Sequence, residues 1–254
     1  MANYDILGNV ALAKFPREMK LPTKKRWAEK FLKSHKQIST VLEKSDKVSG
    51  RLRTLKTRFI SGLKTKEALY RENDCTLRFS VESCYFSPRL SAERKELAGK
   101  VKKGEDVLVM FGGVAPFAIV IAKKSKAEKI TSVELSKACN RYARENVKRN
   151  KLNNVVVIQG NVRNKIPREE YDRIIMARPN LKDSFLDIAF RHVKSGGMIH
   201  YYGFYPESDK GEMISLIRKE AERAEKKIRI QKIKRAGEIG IRKYRYRVDL
   251  KVLN

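Results

Sequence analysis

At 254 residues the chain can bury one large core, or a large and a small one, without disulfide staples. Lys and Arg number 58 against 29 Asp and Glu, and the resulting charge of +29 is spread along the whole chain instead of forming one tail, so a polyanion, nucleic acid first, is the expected partner. Aromatic residues make up only 8 %, with a single Trp, which argues against a protein built mainly on base stacking; a lysine-rich composition serving solubility or heat tolerance is the plainer alternative.

No apolar run reaches the roughly 18 to 20 residues of a membrane span, and the N-terminal MANYDILGNVALAKFP lacks the basic-then-apolar layout of a signal peptide. Three cysteines, Cys75, Cys84 and Cys139, without CxxC spacing, read as reduced thiols that serve packing and form no metal site. A cytoplasmic protein, monomeric and without a membrane partner, is expected.

In chain order, residues 4–16 alternate loosely and close at Pro16, which predicts a strand. Residues 22–45 carry Trp27, Phe31, Leu32 and Ile38 at helical spacing. Residues 54–62 and 68–83 read as strands separated by polar turns, giving a small mixed α/β unit. From about residue 90 the pattern changes. Helix is predicted over 89–101, strand over 106–111, helix over 115–124, strand over 129–135, helix over 136–152, and strands over 155–161 and 171–179. Helix over 184–193, strand over 197–204, a basic helix over 208–227 and strands over 228–238 and 243–253 complete the chain. Such alternation implies a doubly wound α/β domain, here with a seven-stranded sheet ending in an antiparallel hairpin.

The turn FGGVAPF sits after the first strand of that series, where glycine lets backbone approach a ligand. The next strand ends in Glu134, 21 residues after Gly113, the spacing at which a carboxylate accepts both hydroxyls of a ribose. A structural turn remains the alternative. The third glycine of a dinucleotide fingerprint is absent and Pro116 removes an N–H, so a nucleoside cofactor without phosphate, S-adenosylmethionine, fits better than a nicotinamide.

The segments YRENDCTLRFSVESCYFSPRLSAER, VLVMFGGVAPFAI and IIMARP followed by GGMIHYY resemble the archaeal and eukaryotic tRNA guanine-37 N1-methyltransferases, nearly end to end. The resemblance implies a Rossmann-like class I methyltransferase domain over residues 89–254, behind a smaller α+β RNA-binding or linking domain over 1–88. It implies methyl transfer from S-adenosylmethionine to N1 of the guanosine next to the anticodon, with the anticodon stem-loop of tRNA as partner. Glu93 would be the base that removes the N1 proton and Arg53, with Arg51 close by, the cation steadying O6; the alternatives are an exposed helix acid and a solvated cation. Tyr85, Phe86 and Arg89 fall near the methionine end of the cofactor, and Phe111, Gly112, Gly113, Val114, Ala115 and Pro116 form its turn. Glu134 and Leu135 belong to the ribose, Asn161 and Val162 to the adenine edge, and Ala177, Arg178 and Pro179 to the target base. Phe111 as core and Asn161 as a turn residue are the simpler readings.

Three departures stand out. Ala115 replaces the last glycine of the family's AGVG, Asn161 replaces an Asp, and Ala177-Arg178-Pro179 replaces Asn-Leu-Pro. The related wybutosine-pathway aminocarboxypropyltransferases lack the Arg and Pro present here as Arg89 and Pro179, which favours methyl transfer; C-methylation of the tricyclic base at the same position and a catalytically inactive RNA-binding relative are the other readings. Longer members carry an extra N-terminal domain, and the resemblance implies a short form that starts with the next one. Basic segments 24–36, 51–59 and 227–235 are then the expected phosphate contacts.

Overall fold

The computed structural model describes residues 2–45, 50 and 54–254. It opens with a hairpin where one strand was expected over 4–16: β1 (Asn3–Leu7) turns through Gly8 and Asn9 into antiparallel β2 (Val10–Lys14). Gly8 makes this turn, because its φ of +59° is left-handed and a Cβ there would lie 2.0 Å from the Leu69 carbonyl oxygen. Helix α1 (Leu21–Ser34) ends well short of the expected residue 45, and the remainder of that stretch is strand β3 (Thr40–Lys44), parallel to β2. Thr40, Val41 and Leu42 are wholly buried, and β-branched residues suit a covered pleat better than a helix. β4 (Thr57–Gly62) completes a four-stranded sheet in the order β1-β2-β3-β4, with Phe31 of α1 packed near Ile60.

β5 (Glu67–Glu72) and β6 (Cys75–Ser80) form a separate hairpin. Its two central residues, Asn73 and Asp74, both have positive φ (46° and 60°), the twist-matched turn that Asn and Asp tolerate. The second half runs α2 (Ser91–Lys100), β7 (Asp106–Met110), α3 (Pro116–Lys124), β8 (Lys129–Glu134), α4 (Lys137–Arg149), β9 (Val155–Gln159), α5 (Val162–Lys165), β10 (Tyr171–Met176), α6 (Leu186–His192), β11 (Val193–Pro206), α7 (Lys210–Arg223), β12 (Ile228–Gly240) and β13 (Lys243–Val252). These strands make the expected seven-stranded sheet, in the order β12-β13-β11-β10-β7-β8-β9, with β13 antiparallel to both neighbours and the other pairs parallel.

Val107, Leu108, Val109 and Met110 of β7 are all fully buried, as a central parallel strand covered on both faces requires. From β7 the chain moves outward to β8 and β9, then returns to β10 on the other side. That reversal leaves a crevice beyond the C-terminal ends of β7 and β10, the place where open α/β sheets hold ligands. The β5–β6 hairpin is tied to this half by two buried side-chain amides, Asn146 in α4 and Asn150 at its C-terminal cap, which bond the main chain of Arg78 and Thr76 respectively.

Strand β13 differs on its two faces. Tyr246, Val248 and Leu250 join the apolar core, whereas Arg245, Arg247 and Asp249 point the other way and are buried as well. Among the described residues no helix is long and apolar enough to cross a membrane.

Candidate active site

The crevice is a cavity walled by four consecutive strand ends. Phe111 and Gly113 follow β7, Glu134 and Leu135 close β8, Asn161 and Val162 follow β9, and Ala177, Arg178 and Pro179 follow β10. Tyr85 joins them from the segment before α2. Ten residues expected at the site from the sequence are thus brought together.

The glycine turn and the acid are bonded to each other. Gly113 N–H donates to one Glu134 oxygen at 2.9 Å and Ser136 N–H to the other at 2.7 Å. Each oxygen keeps a second acceptor position, so the carboxylate is held in place with capacity for two ribose hydroxyls. Gly112 is required by close approach, since a Cβ there would lie 2.1 Å from Ser132 Oγ. Val114, Ala115 and Pro116 shape the turn from behind the cavity wall, and Pro116 starts α3, where its missing N–H costs nothing. These features fit an adenosine group and leave its phosphate-free character natural.

Ala115 is wholly buried at φ +64°, a conformation that suits the glycine it replaces. Ala115→Gly is expected to stabilise the protein by roughly 0.5–1 kcal/mol, because the left-handed cost of about 1–2 kcal/mol exceeds the added backbone entropy of the glycine. A urea midpoint displaced upward at unchanged slope is the expected reading; a downward displacement would mean that the methyl group's packing outweighs the strain.

Asn161 serves as wall and turn together: its side-chain oxygen caps α5 by accepting from Arg163 N–H at 3.1 Å. Arg178 lines the cavity, yet its guanidinium is directed into the fold. It donates to Tyr201 Oη at 3.3 Å and to the carbonyls of Tyr202, Leu181 and Asp183 at 3.4, 2.5 and 2.6 Å. The cation that replaces the family's Leu therefore staples the loop after β10 to β11.

Phe86 and Arg89 do not line this cavity. They line a groove between the four-stranded sheet and the segment before α2, together with Lys14, Arg17 and Arg58. Tyr85 belongs to both walls. Arg53, with Arg51, lies outside the described residues.

Glu93 is buried, at 4 % exposure, and not an exposed helix acid. It sits behind the cavity wall: Tyr202, which lines the cavity, donates its hydroxyl to Glu93 Oε2 at 3.1 Å. Arg247 Nη1 donates to the same oxygen at 2.6 Å and Lys234 Nζ to Oε1 at 2.5 Å. Both cations also reach Glu96, and Arg247 Nε bonds Asp249 at 2.9 Å. The chain of contacts continues through His200, 2.7 Å from Asp249 on Nδ1 and 2.7 Å from Arg173 on Nε2, to Glu105. Because Arg173 can only donate, His200 accepts on Nε2 and carries its proton on Nδ1. Burial lowers the His200 pKa in spite of Asp249, consistent with that neutral form.

The motif residues around Glu93 also hold elements together. Arg94 and Glu72 form a buried ion pair at 2.6 Å, and Asn73 donates to Ser91 O at 3.1 Å, so RENDC and SPRLSAER clasp the hairpin to α2.

Several wall residues carry no local sequence signal. Tyr202 and Arg245 come from strands read only as strands, and Phe185, whose ring meets Phe111 edge-on at 5.0 Å, comes from a loop. Cys139, expected to serve packing, faces the cavity from the first turn of α4. Its Sγ donates to Ser83 O at 3.5 Å; the neighbouring Cys84 thiol draws Cys139 below the usual thiol range, and the Cys139 thiol together with burial pushes Cys84 above it.

A parallel sheet whose first strand enters a glycine turn braced by the acid ending the second defines a Rossmann-like domain of the methyltransferase class. Residues 68–231 match the TRM5/TYW2 methyltransferase domain, and the chain belongs to that family. It is 36 % identical over 251 residues to the tRNA (guanine(37)-N(1))-methyltransferase Trm5b of Pyrococcus abyssi, covering 98 % of this chain and 74 % of the relative. The crystal structure of that protein superposes with a TM-score of 0.88 over 99 % of this chain and 75 % of its own. The tRNA (guanine(37)-N(1))/4-demethylwyosine(37)-methyltransferase Taw22 of Nanoarchaeum equitans is 30 % identical, covering 98 % of this chain and 99 % of the relative. A complex of aTrm5 with tRNALeu is 26 % identical with a TM-score of 0.86, over 99 % of this chain and 72 % of that one.

Proposed function

We propose that this protein is an S-adenosylmethionine-dependent tRNA methyltransferase that modifies N1 of guanosine 37. The observation that carries the proposal is the cavity itself, where the Glu134–Gly113 seat for a nucleoside shares one cavity with Ala177 to Pro179, and Tyr85 of its wall also lines a groove that holds Lys14, Arg17, Arg58 and Arg89. Similarity to Trm5b along 98 % of the chain supports the position on the tRNA.

When bound, S-adenosylmethionine supplies a methyl group on a sulfonium. Glu134 would accept from the ribose hydroxyls, Leu135, Asn161 and Val162 would hold the adenine, and Phe111 and Tyr85 would take the methionine end. Glu93 receives the N1 proton, and Arg53 is assigned to O6 by its place in the motif. Residues 1–88 act as the RNA-binding and linking domain and 89–254 as the transferase domain. The anticodon stem-loop enters along the groove of Lys14, Arg17, Arg58 and Arg89, where cations meet phosphates. The protein works as a monomer in the cytoplasm.

A second reading is favoured by one feature. The loss of the family's amide at Ala177 enlarges and depolarises the target wall, which suits the tricyclic 4-demethylwyosine named in the Taw22 relative. Nucleoside mass spectrometry distinguishes the two. A tRNA transcript with guanosine at position 37 is expected to yield 1-methylguanosine; product only from tRNA already carrying the tricyclic base would replace the first reading with the second, and an aminocarboxypropyl mass would overturn both.

A further inference from the structure

We propose that Tyr202 is a catalytic proton carrier, passing the proton of the target base to Glu93. The inference rests on the methyl-transfer reading above.

Glu93 does not line the cavity, so a proton leaving a base bound there needs an intermediate group. Among the described residues three donors occupy the Glu93 carboxylate: Lys234 on Oε1, and Arg247 and Tyr202 on Oε2. A guanidinium does not release a proton in a protein, and Lys234 is not part of the cavity wall. Tyr202 is the neutral donor of the three and the one that also faces the cavity. Burial and the adjacent carboxylate raise its phenol well above the ordinary range, which keeps it protonated and donating. Its position is fixed from both ends, by Arg178 on its carbonyl and Glu93 on its hydroxyl.

The transfer balances without any oxidant or reductant. As N1 bonds to the methyl carbon, the S–C bond of the sulfonium breaks and leaves a neutral thioether. The N1–H bond breaks and an O–H bond forms on Tyr202, while the original Tyr202 O–H proton becomes the proton of the Glu93 carboxyl. The phenol is restored, and Glu93 returns its proton to solvent between turnovers.

Two measurements test this. In single-turnover reactions, Tyr202→Phe is expected to slow methyl transfer about 10²-fold, the usual worth of a positioned proton-transfer group, with S-adenosylmethionine affinity unchanged. On the unaltered protein, rates in H₂O/D₂O mixtures are expected to follow a curved dependence, as two protons move together. A full-rate Tyr202→Phe protein, or a straight dependence in the unaltered one, overturns the carrier role while leaving the methyltransferase reading intact. Should the variant lose cofactor binding through misfolding, the curvature in the unaltered protein decides. Absence of 1-methylguanosine from the unaltered protein would instead sink the underlying reading and the carrier with it.

Discussion

Glu93→Gln is expected to slow methyl transfer by about 10²- to 10⁴-fold while leaving S-adenosylmethionine affinity unchanged. Among the described residues Tyr202 is the cavity-lining group that hydrogen-bonds the carboxylate, and no hydrogen bond joins Glu93 to the Glu134 end of the site. Gln preserves the volume and can still accept from Tyr202, but it does not take up a proton at neutral pH. Single-turnover rates together with equilibrium cofactor binding give the two numbers needed. Parallel loss of rate and affinity would make Glu93 a structural anchor and remove it from the proton path.

Arg247→Met is expected to destabilise the fold by about 3–5 kcal/mol, the cost of removing one member of a buried ion network. Arg247 is fully buried and bonds Glu93, Glu96 and Asp249 at once. Without it these carboxylates face one another with, among the described residues, only Lys234 and Lys100 as cationic partners. The same network sets an acid limit. Hydrogen bonding to Arg247 holds Glu96 down to about 2, and for Asp249 the bonds to His200 and Arg247 outweigh burial and hold it well below the carboxylate range. Depressed pKa values contribute stability above the unfolded value near 4, and that stability is lost as pH falls from about 4 toward 2. Urea midpoints at pH 7, 4 and 3 check both effects: the unaltered protein should lose stability steeply below pH 4, and Arg247→Met should start lower and fall less. A variant of unchanged midpoint at pH 7 would show that the carboxylates find other partners.

Much of the transferase half was legible because each buried parallel strand is a short apolar run closed by a distinctive turn. Gly113 and Glu134 could be linked by spacing alone, and the structure joins them by a hydrogen bond. The earlier half was less legible. Ile38 prolonged the helical spacing of α1 past its end, while the pairing that makes residues 40–44 a strand comes from β2, remote in sequence. The surroundings of the charged residues were the least legible. The motif marks Glu93 as a base, but its burial was not legible, because its partners, Lys234 and Arg247, lie 141 and 154 residues away. The resemblance sets Arg178 beside the target base, and only the placement of β11 shows that its Nη1 bonds Tyr201 and Tyr202 within the fold. Alternation along β13 separates Arg247 and Asp249 from Val248 and Leu250, but it does not say that both faces are covered.

Tyr85 stands in two walls, those of the nucleoside cavity and of the cationic groove. An occupant of either side that shifts this ring alters the fit on the other, and thermodynamic linkage makes the effect equal in both directions. Whatever factor a bound nucleoside adds to affinity for the polyanion, the polyanion must return to the nucleoside.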